Sequence, residues 1–112
     1  MPQVRDRAGE KAAGDQPALL ALFDVLGRRW ALRIVWELGA SAMTYRELAA
    51  AAPDMSTSVL TQRLRDLRAA RLVEHERGTG YRLTPLGSDL LAHLIPLREW
   101  AGRVEFGAEP AP

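Results

Sequence analysis

The chain of 112 residues contains no cysteine. That absence excludes disulfides, thiolate metal sites and cysteine redox switching, and it fits a cytoplasmic protein. Lysine is almost missing as well, with Lys11 the single example, so arginine carries nearly all of the positive charge. No run of about 18 apolar residues occurs, which leaves no candidate membrane-spanning helix. The two histidines, His75 and His93, stand 18 positions apart without a His-x-x-x-His spacing, and with no cysteine beside them a metal site is not expected. Glycine-rich phosphate loops are absent. Ser56, Ser58 and Thr61 have no nearby histidine or paired acid to serve as a base. Neither an enzyme nor a cofactor is therefore expected.

What is present suits a single small domain. Apolar residues make up 47% and charged residues 26% of the chain, ordinary proportions for a globular protein of a length that supports one core. The first stretch, "MPQVRDRAGEKAAGDQ", has charges but no apolar run, and reads as a mobile tail over residues 1–16 rather than a secretory signal. Residues 107–112 read as a frayed end, leaving 17–106 as the domain. The net charge is only +1, yet ten arginines stand against six acids between Arg28 and Arg82, while the flanking segments are net acidic. A basic middle suits a polyanionic partner. An arginine-rich solvated surface would have the same composition, and charge alone does not separate the two.

The pattern of elements is more specific. Pro17 suits a first helical position, with Asp15 or Gln16 as its cap, and Leu19, Leu20, Leu22, Phe23 and Leu26 supply an apolar face up to Gly27. A second helix is expected from about Arg29 to Leu38, carrying Trp30, Ile34 and Val35. The segment "TYRE" at 44–47 is a capping box, in which Thr44 and Glu47 satisfy each other's backbone N–H groups. It opens a short helix to about Ala51. After the break at Pro53-Asp54, Ser56 caps a longer helix. Helix, tight turn, helix is the outline of a helix-turn-helix.

On the second of these helices, Leu60, Leu64 and Leu67 share one face at helical spacing. Opposite them lie Ser58, Thr61, Gln62 and Arg65: hydroxyls, an amide and a guanidinium, the groups that hydrogen-bond phosphates and base edges in a major groove. A merely solvated face would be richer in Glu and Lys. The chain then switches to two short strands, "VEHE" and "YRL", around "RGTG", where Gly78 and Gly80 allow the positive φ of a tight hairpin. Arg77 and Arg82 flank the tip. Thr84-Pro85 opens a last helix bearing Leu86, Leu90, Leu91, Leu94, Ile95, Leu97, Trp100 and Val104, with Pro96 expected to kink it. That is more apolar surface than a small domain covers by itself, so the first and last helices are expected to form a homodimer seam through Leu19, Leu22, Phe23, Leu94, Leu97 and Trp100. Trp30, Trp36 and Trp100 pack the core and seam, or else line an apolar pocket for a small effector.

These segments, in this order, resemble the HxlR-type winged helix-turn-helix regulators of the broad MarR-like group. "DVLGRRWALRIVWEL" is similar to that family's opening Asp-x-x-Gly-Gly-Lys-Trp segment. "MTYRELAAAAPDMSTSVLTQRLRDLRAARLVE" resembles its helix-turn-helix, with Tyr45 where phenylalanine is usual, and "YRLTPLG" its junction from wing to last helix. The resemblance implies a mainly α fold with a small β-hairpin wing, and a dimeric bacterial transcription regulator bound to double-stranded DNA. It implies major-groove contacts from Ser56, Thr57, Ser58, Thr61, Gln62 and Arg65, and phosphate contacts from Arg28, Arg29, Arg77, Thr79 and Arg82. Repression by steric exclusion is the expected mode, and a winged-helix module that binds protein without specific DNA contact is the alternative. Relatives that sense electrophiles use a cysteine near the start, which this chain lacks. Arg71 stands where the family has glycine after the recognition helix; a left-handed backbone there would be strained. The wing is shorter than usual for the family, so phosphates rather than the minor groove are its expected target.

Overall fold

The computed structural model describes residues 17–107; the expected tail, the Asp15 or Gln16 cap and residues 108–112 lie outside that span. The described chain is helical over residues 17–26 (α1), Ala31–Leu38 (α2), Tyr45–Ala51 (α3) and Thr57–Ala69 (α4). The strands Val73–Glu76 (β1) and Gly80–Leu83 (β2) follow, and Pro85–Arg103 forms α5. The fold is thus mainly helical with one antiparallel hairpin, as the sequence predicts.

The second helix begins two residues later than expected. Residues 27–30 make a turn: Gly27 N–H donates to the Phe23 carbonyl and Ala31 N–H to that of Arg28. Trp30 occupies the N-cap at φ 77 in the left-handed region, and its side chain makes no capping bond. Helical bonding therefore starts only where Ile34 N–H meets the Trp30 carbonyl at 3.0 Å.

The core gathers around α2 and α4. Ala31, Ile34, Val35 and Leu38 recur at i, i+3, i+4 and i+7 and are all buried. They meet Leu60, Leu64 and Leu67 of α4, Leu48 of α3, and Leu72 and Val73 beyond α4. Each fully buried leucine or isoleucine contributes about 1.5–3 kcal/mol by leaving water. The capping box at Thr44 and Glu47 is fully formed. The Ser56 hydroxyl accepts from Val59 N–H at 3.2 Å, fixing the start of α4.

The end of α4 is equally defined. Arg71 N–H donates to the Arg68 carbonyl and Leu72 N–H to that of Leu67, the paired bonds of a Schellman motif. Arg71 holds the left-handed position of that motif at φ 63, where glycine would be unstrained; for arginine the cost is about 1 kcal/mol. Thr84 then donates its hydroxyl to the Arg71 carbonyl and accepts from Gly87 N–H, capping α5. Pro96 lies inside α5, and the helix continues past it to Arg103.

In the hairpin, Glu74 pairs with Arg82 and His75 with Tyr81. Gly78 and Gly80 take φ values of 89° and 110°, as the tight turn requires. Met43 and Tyr81 exchange both backbone hydrogen bonds, at 2.9 and 2.7 Å, so the residue before the Thr44 cap acts as a one-residue third strand. A Cβ on Gly80 would run into the Met43 carbonyl.

Candidate nucleic-acid interface

Because Leu60, Leu64 and Leu67 are buried, the opposite side of α4 is turned outward. Ser58, Gln62 and Arg65 are exposed there, and Thr57 joins them in the first turn. Ser56 serves mainly as the cap, with its hydroxyl 3.3 Å from that of Ser58. Thr61 is half-buried, and its Oγ1 lies 3.0 Å from the Tyr45 hydroxyl. Tyr45 also donates to the Thr57 carbonyl at 2.9 Å. A phenol has one hydrogen, so with that hydrogen on Thr57 the Thr61 hydroxyl donates to Tyr45. Thr61 then faces outward as an acceptor only, suited to an amino group on cytosine or adenine.

Asp66 organises this face of α4 and is missing from the sequence reading. Its carboxylate accepts from Gln62 Nε2 at 3.0 Å, Arg63 Nη1 at 2.8 Å and Arg28 Nη1 at 3.1 Å. Partial burial pushes its pKa up, but the Gln62 hydrogen bond and the charges of Arg28 and Arg63 outweigh this and hold it below the usual aspartate value. The Gln62 side chain is thereby tied along the helix through its amide nitrogen. Two of these contacts fall at i,i+4 and i,i+3, a spacing visible in sequence. The third, to the turn before α2, is not.

The arginines expected at phosphates sort into two groups. Arg28 bridges Asp24 at 3.4 Å and Asp66 at 3.1 Å, and Asp66 chiefly raises its pKa, with help from Asp24. Arg82 is held between Glu74 at 2.8 Å and Glu76 at 2.7 Å, which raise its pKa likewise, Glu74 first. A phosphate at either position must compete with two carboxylates. By contrast, Arg65 and Arg77 have no acidic partner among the described residues. Arg29 stacks over the Trp30 ring, its guanidinium carbon 5.4 Å from the centroid. Arg77 and Thr79 are exposed at the hairpin tip.

Trp30 and Trp36 line separate hollows. Trp30 lines a shallow hollow with Leu26, Leu32 and Arg33. Trp36 lines another with Leu91 and Ile95, under Arg98. Trp100 is exposed near Phe106, with ring centroids 6.3 Å apart. Their separation follows from helical rotation: α2 turns Trp30 and Trp36 to different sides. An apolar pocket of about 480 Å³ lies elsewhere, lined by Leu22 and Val25 of α1, Leu72, and Leu86 and Leu90 of α5. Asp89 and His93 supply its polar edge. Among the described residues no three His, Asp or Glu side chains are grouped as a metal site would need.

Leu19 and Phe23 on α1 and Leu97 and Trp100 on α5 are exposed, Phe23 and Leu97 by more than half of their surface (56% and 55%). Leu22 and Leu94 are half-buried, and Leu94 packs against the core. Among the described residues no helix is long and apolar enough to cross a membrane.

The fold is similar to that of known regulators. The family model for HxlR-like helix-turn-helix proteins matches residues 25–106. The transcriptional regulator YvaP of Bacillus subtilis is 31% identical over 84 residues, covering 70% of this chain and 78% of YvaP. Quinone-bound YodB of B. subtilis superposes with a TM-score of 0.72 at 29% identity, covering 78% of this chain and 97% of YodB. A MarR-family regulator from Enterococcus faecalis superposes with a TM-score of 0.71 at 27% identity, over 80% of this chain and 87% of the other.

Proposed function

The chain belongs to the HxlR-like helix-turn-helix family of transcriptional regulators, and from that premise we propose that it is a repressor acting as a homodimer on a pseudo-palindromic operator. Each α4 enters a major groove, where Ser58, Gln62 and Arg65 read base edges and Thr61 accepts from an amino group. The wing tip, through Arg77 and Thr79, meets phosphates. The half-sites lie about one helical turn, 34–36 Å, apart. The α1 and α5 faces that leave Phe23, Leu97 and Trp100 in water form the seam between protomers. Repression follows by steric exclusion of polymerase.

The observation that carries this reading is the division of α4: three leucines buried on one side, and an exposed Ser58–Gln62–Arg65 face whose arginine has no acidic partner among the described residues. It is tested by fluorescence anisotropy on the DNA upstream of the protein's own gene, beside a scrambled duplex, at about 50 and 200 mM salt. Tight, selective and steeply salt-dependent binding is expected. Should selection from a random duplex library also yield no preferred sequence, the protein is instead a winged-helix module that binds protein.

An effector is favoured by a separate observation, the pocket between α1, Leu72 and α5. Its apolar walls and the Asp89–His93 edge suit a small, mostly apolar ligand with one polar group. YodB has been seen with quinone bound; in a chain without cysteine such a ligand binds without a thiol bond. Binding changes DNA affinity only if it favours one spacing of the two α4 helices.

A further inference from the structure

Between the C-terminal half of α4 and β1 lies an open cleft of about 630 Å³. Arg65, Arg68 and Arg71 line one side of it, and His75 of β1 lines the other. Neither Arg68 nor Arg71 has an acidic partner among the described residues. The one carboxylate in the lining, Glu74, is held by Arg82 at 2.8 Å. The cleft is therefore cationic, whereas Arg28 at the turn and Arg82 in the wing are each held between two carboxylates.

We propose that this cleft is a cradle for one sugar–phosphate strand of duplex DNA, with Arg68 and Arg71 gripping phosphate oxygens across from His75. The inference rests on the regulator reading above. In a duplex, a phosphate strand separates the major groove from the minor groove. With α4 in the major groove and the hairpin alongside, that strand runs between helix and wing, which is where the cleft lies.

Arg71 distinguishes this role from an ordinary helix end. A cation in the last turn of a helix, such as Arg68, also offsets the carbonyl dipoles there. Arg71 lies beyond the last turn, and the carbonyls of Leu67 and Arg68 already accept N–H groups. Its left-handed backbone would suit glycine better. A strained arginine at such a position points to work done by its side chain. The backbone is moreover clamped by the Thr84 hydroxyl on the Arg71 carbonyl, so the guanidinium projects from a fixed point.

The test compares the wild type with Arg71→Gly and Arg68→Ala on the upstream and scrambled duplexes, by anisotropy across salt, with melting temperatures alongside. Each lost phosphate contact makes the salt slope shallower by about 0.9, so the affinity ratio between about 50 and 200 mM salt shrinks roughly 3.5-fold. The same factor is expected on both duplexes, and Arg71→Gly is expected to melt at or above the wild-type temperature. Wild-type slopes in both variants would overturn the cradle and leave the regulator reading intact. A loss confined to Arg71→Gly and accompanied by a lower melting temperature would overturn it too. A wild type that binds neither duplex and selects no sequence from a random library overturns the regulator reading, and the cradle with it.

Discussion

The hydroxyl of Tyr45, at the start of α3, lies 3.0 Å from the hydroxyl of Thr61 in the middle of α4. This contact fastens the two helices of the helix-turn-helix together by their polar edge, while the leucines fasten them by the core. It sets how Thr61 is presented to a ligand. Tyr45→Phe removes it along with the bond to the Thr57 carbonyl, and is expected to cost about 0.5–1.5 kcal/mol per bond lost. Chemical denaturation measures the loss. An unchanged midpoint would mean that the hydroxyl is equally well solvated in water.

Asp66 makes stability depend on pH. Its pKa is lower in the folded protein than in the unfolded chain, so its contribution is fully present at neutral pH. The contribution begins to fall as pH drops through the ordinary aspartate value of about 3.9, and is gone below the depressed folded value. Asp66→Ala leaves the partly buried Arg63, whose Nε already lacks a partner, without its acceptor. A loss of about 1–3 kcal/mol is expected at pH 7, shrinking towards pH 3. Parallel pH curves for the two proteins would remove Asp66 as the source.

Gly80→Ala is expected to destabilise by at least about 1–2 kcal/mol, because alanine disfavours φ 110 and its Cβ meets the Met43 carbonyl. Gly78→Ala shares the positive φ but meets nothing within 4 Å, so it should cost less. The difference between the two melting temperatures isolates the steric part. Equal losses would assign the whole effect to backbone strain.

Arg65 and Arg77 should fail in different ways. Arg65→Ala is expected to flatten the preference among operator variants, costing about 1–3 kcal/mol at the base it reads. Arg77→Ala should weaken every duplex alike and reduce the salt slope. Binding to a panel of single-base operator variants separates the two patterns, and a uniform loss for Arg65→Ala would place that side chain on the backbone instead.

The seam is checked by Phe23→Glu and Leu97→Glu, which put charge on exposed apolar positions that the chain's own core does not use. Light scattering after size exclusion should shift from dimer to monomer, and operator affinity should fall on the order of 10²-fold as the second half-site is lost. A monomeric wild type would refute the seam outright.

Elements whose signals are local were legible in the sequence. The Thr44–Glu47 box, the Ser56 and Thr84 caps and the Gly78–Gly80 turn each close within three residues, and each stands where expected. So does the burial of Leu60, Leu64 and Leu67, which follows from period alone. Contacts between distant segments were not legible. Helical spacing shows that Trp30 and Trp36 belong to an apolar helix, but not which neighbour each one meets. Composition counts Arg28 as a cation, whereas the fold brings it to Asp66, 38 residues away. The left-handed Trp30 that delays α2 has no signature, because tryptophan neither favours that conformation nor caps.

The bonds between Met43 and Tyr81 have a consequence for how DNA is read. A hairpin that hangs free must be ordered when it docks, and surrenders part of its contact energy as lost entropy. Here the hairpin is stitched to the residue that precedes the Thr44 cap, so the gap between helix and wing is set during folding. Only the turn at residues 77–79 lies beyond the stitching. The molecule then behaves as a rigid gauge: a duplex whose groove width or bend departs from the gauge must itself deform to fit, and the cost depends on its sequence. Part of the selectivity would thus come from the stiffness of DNA at positions no side chain touches.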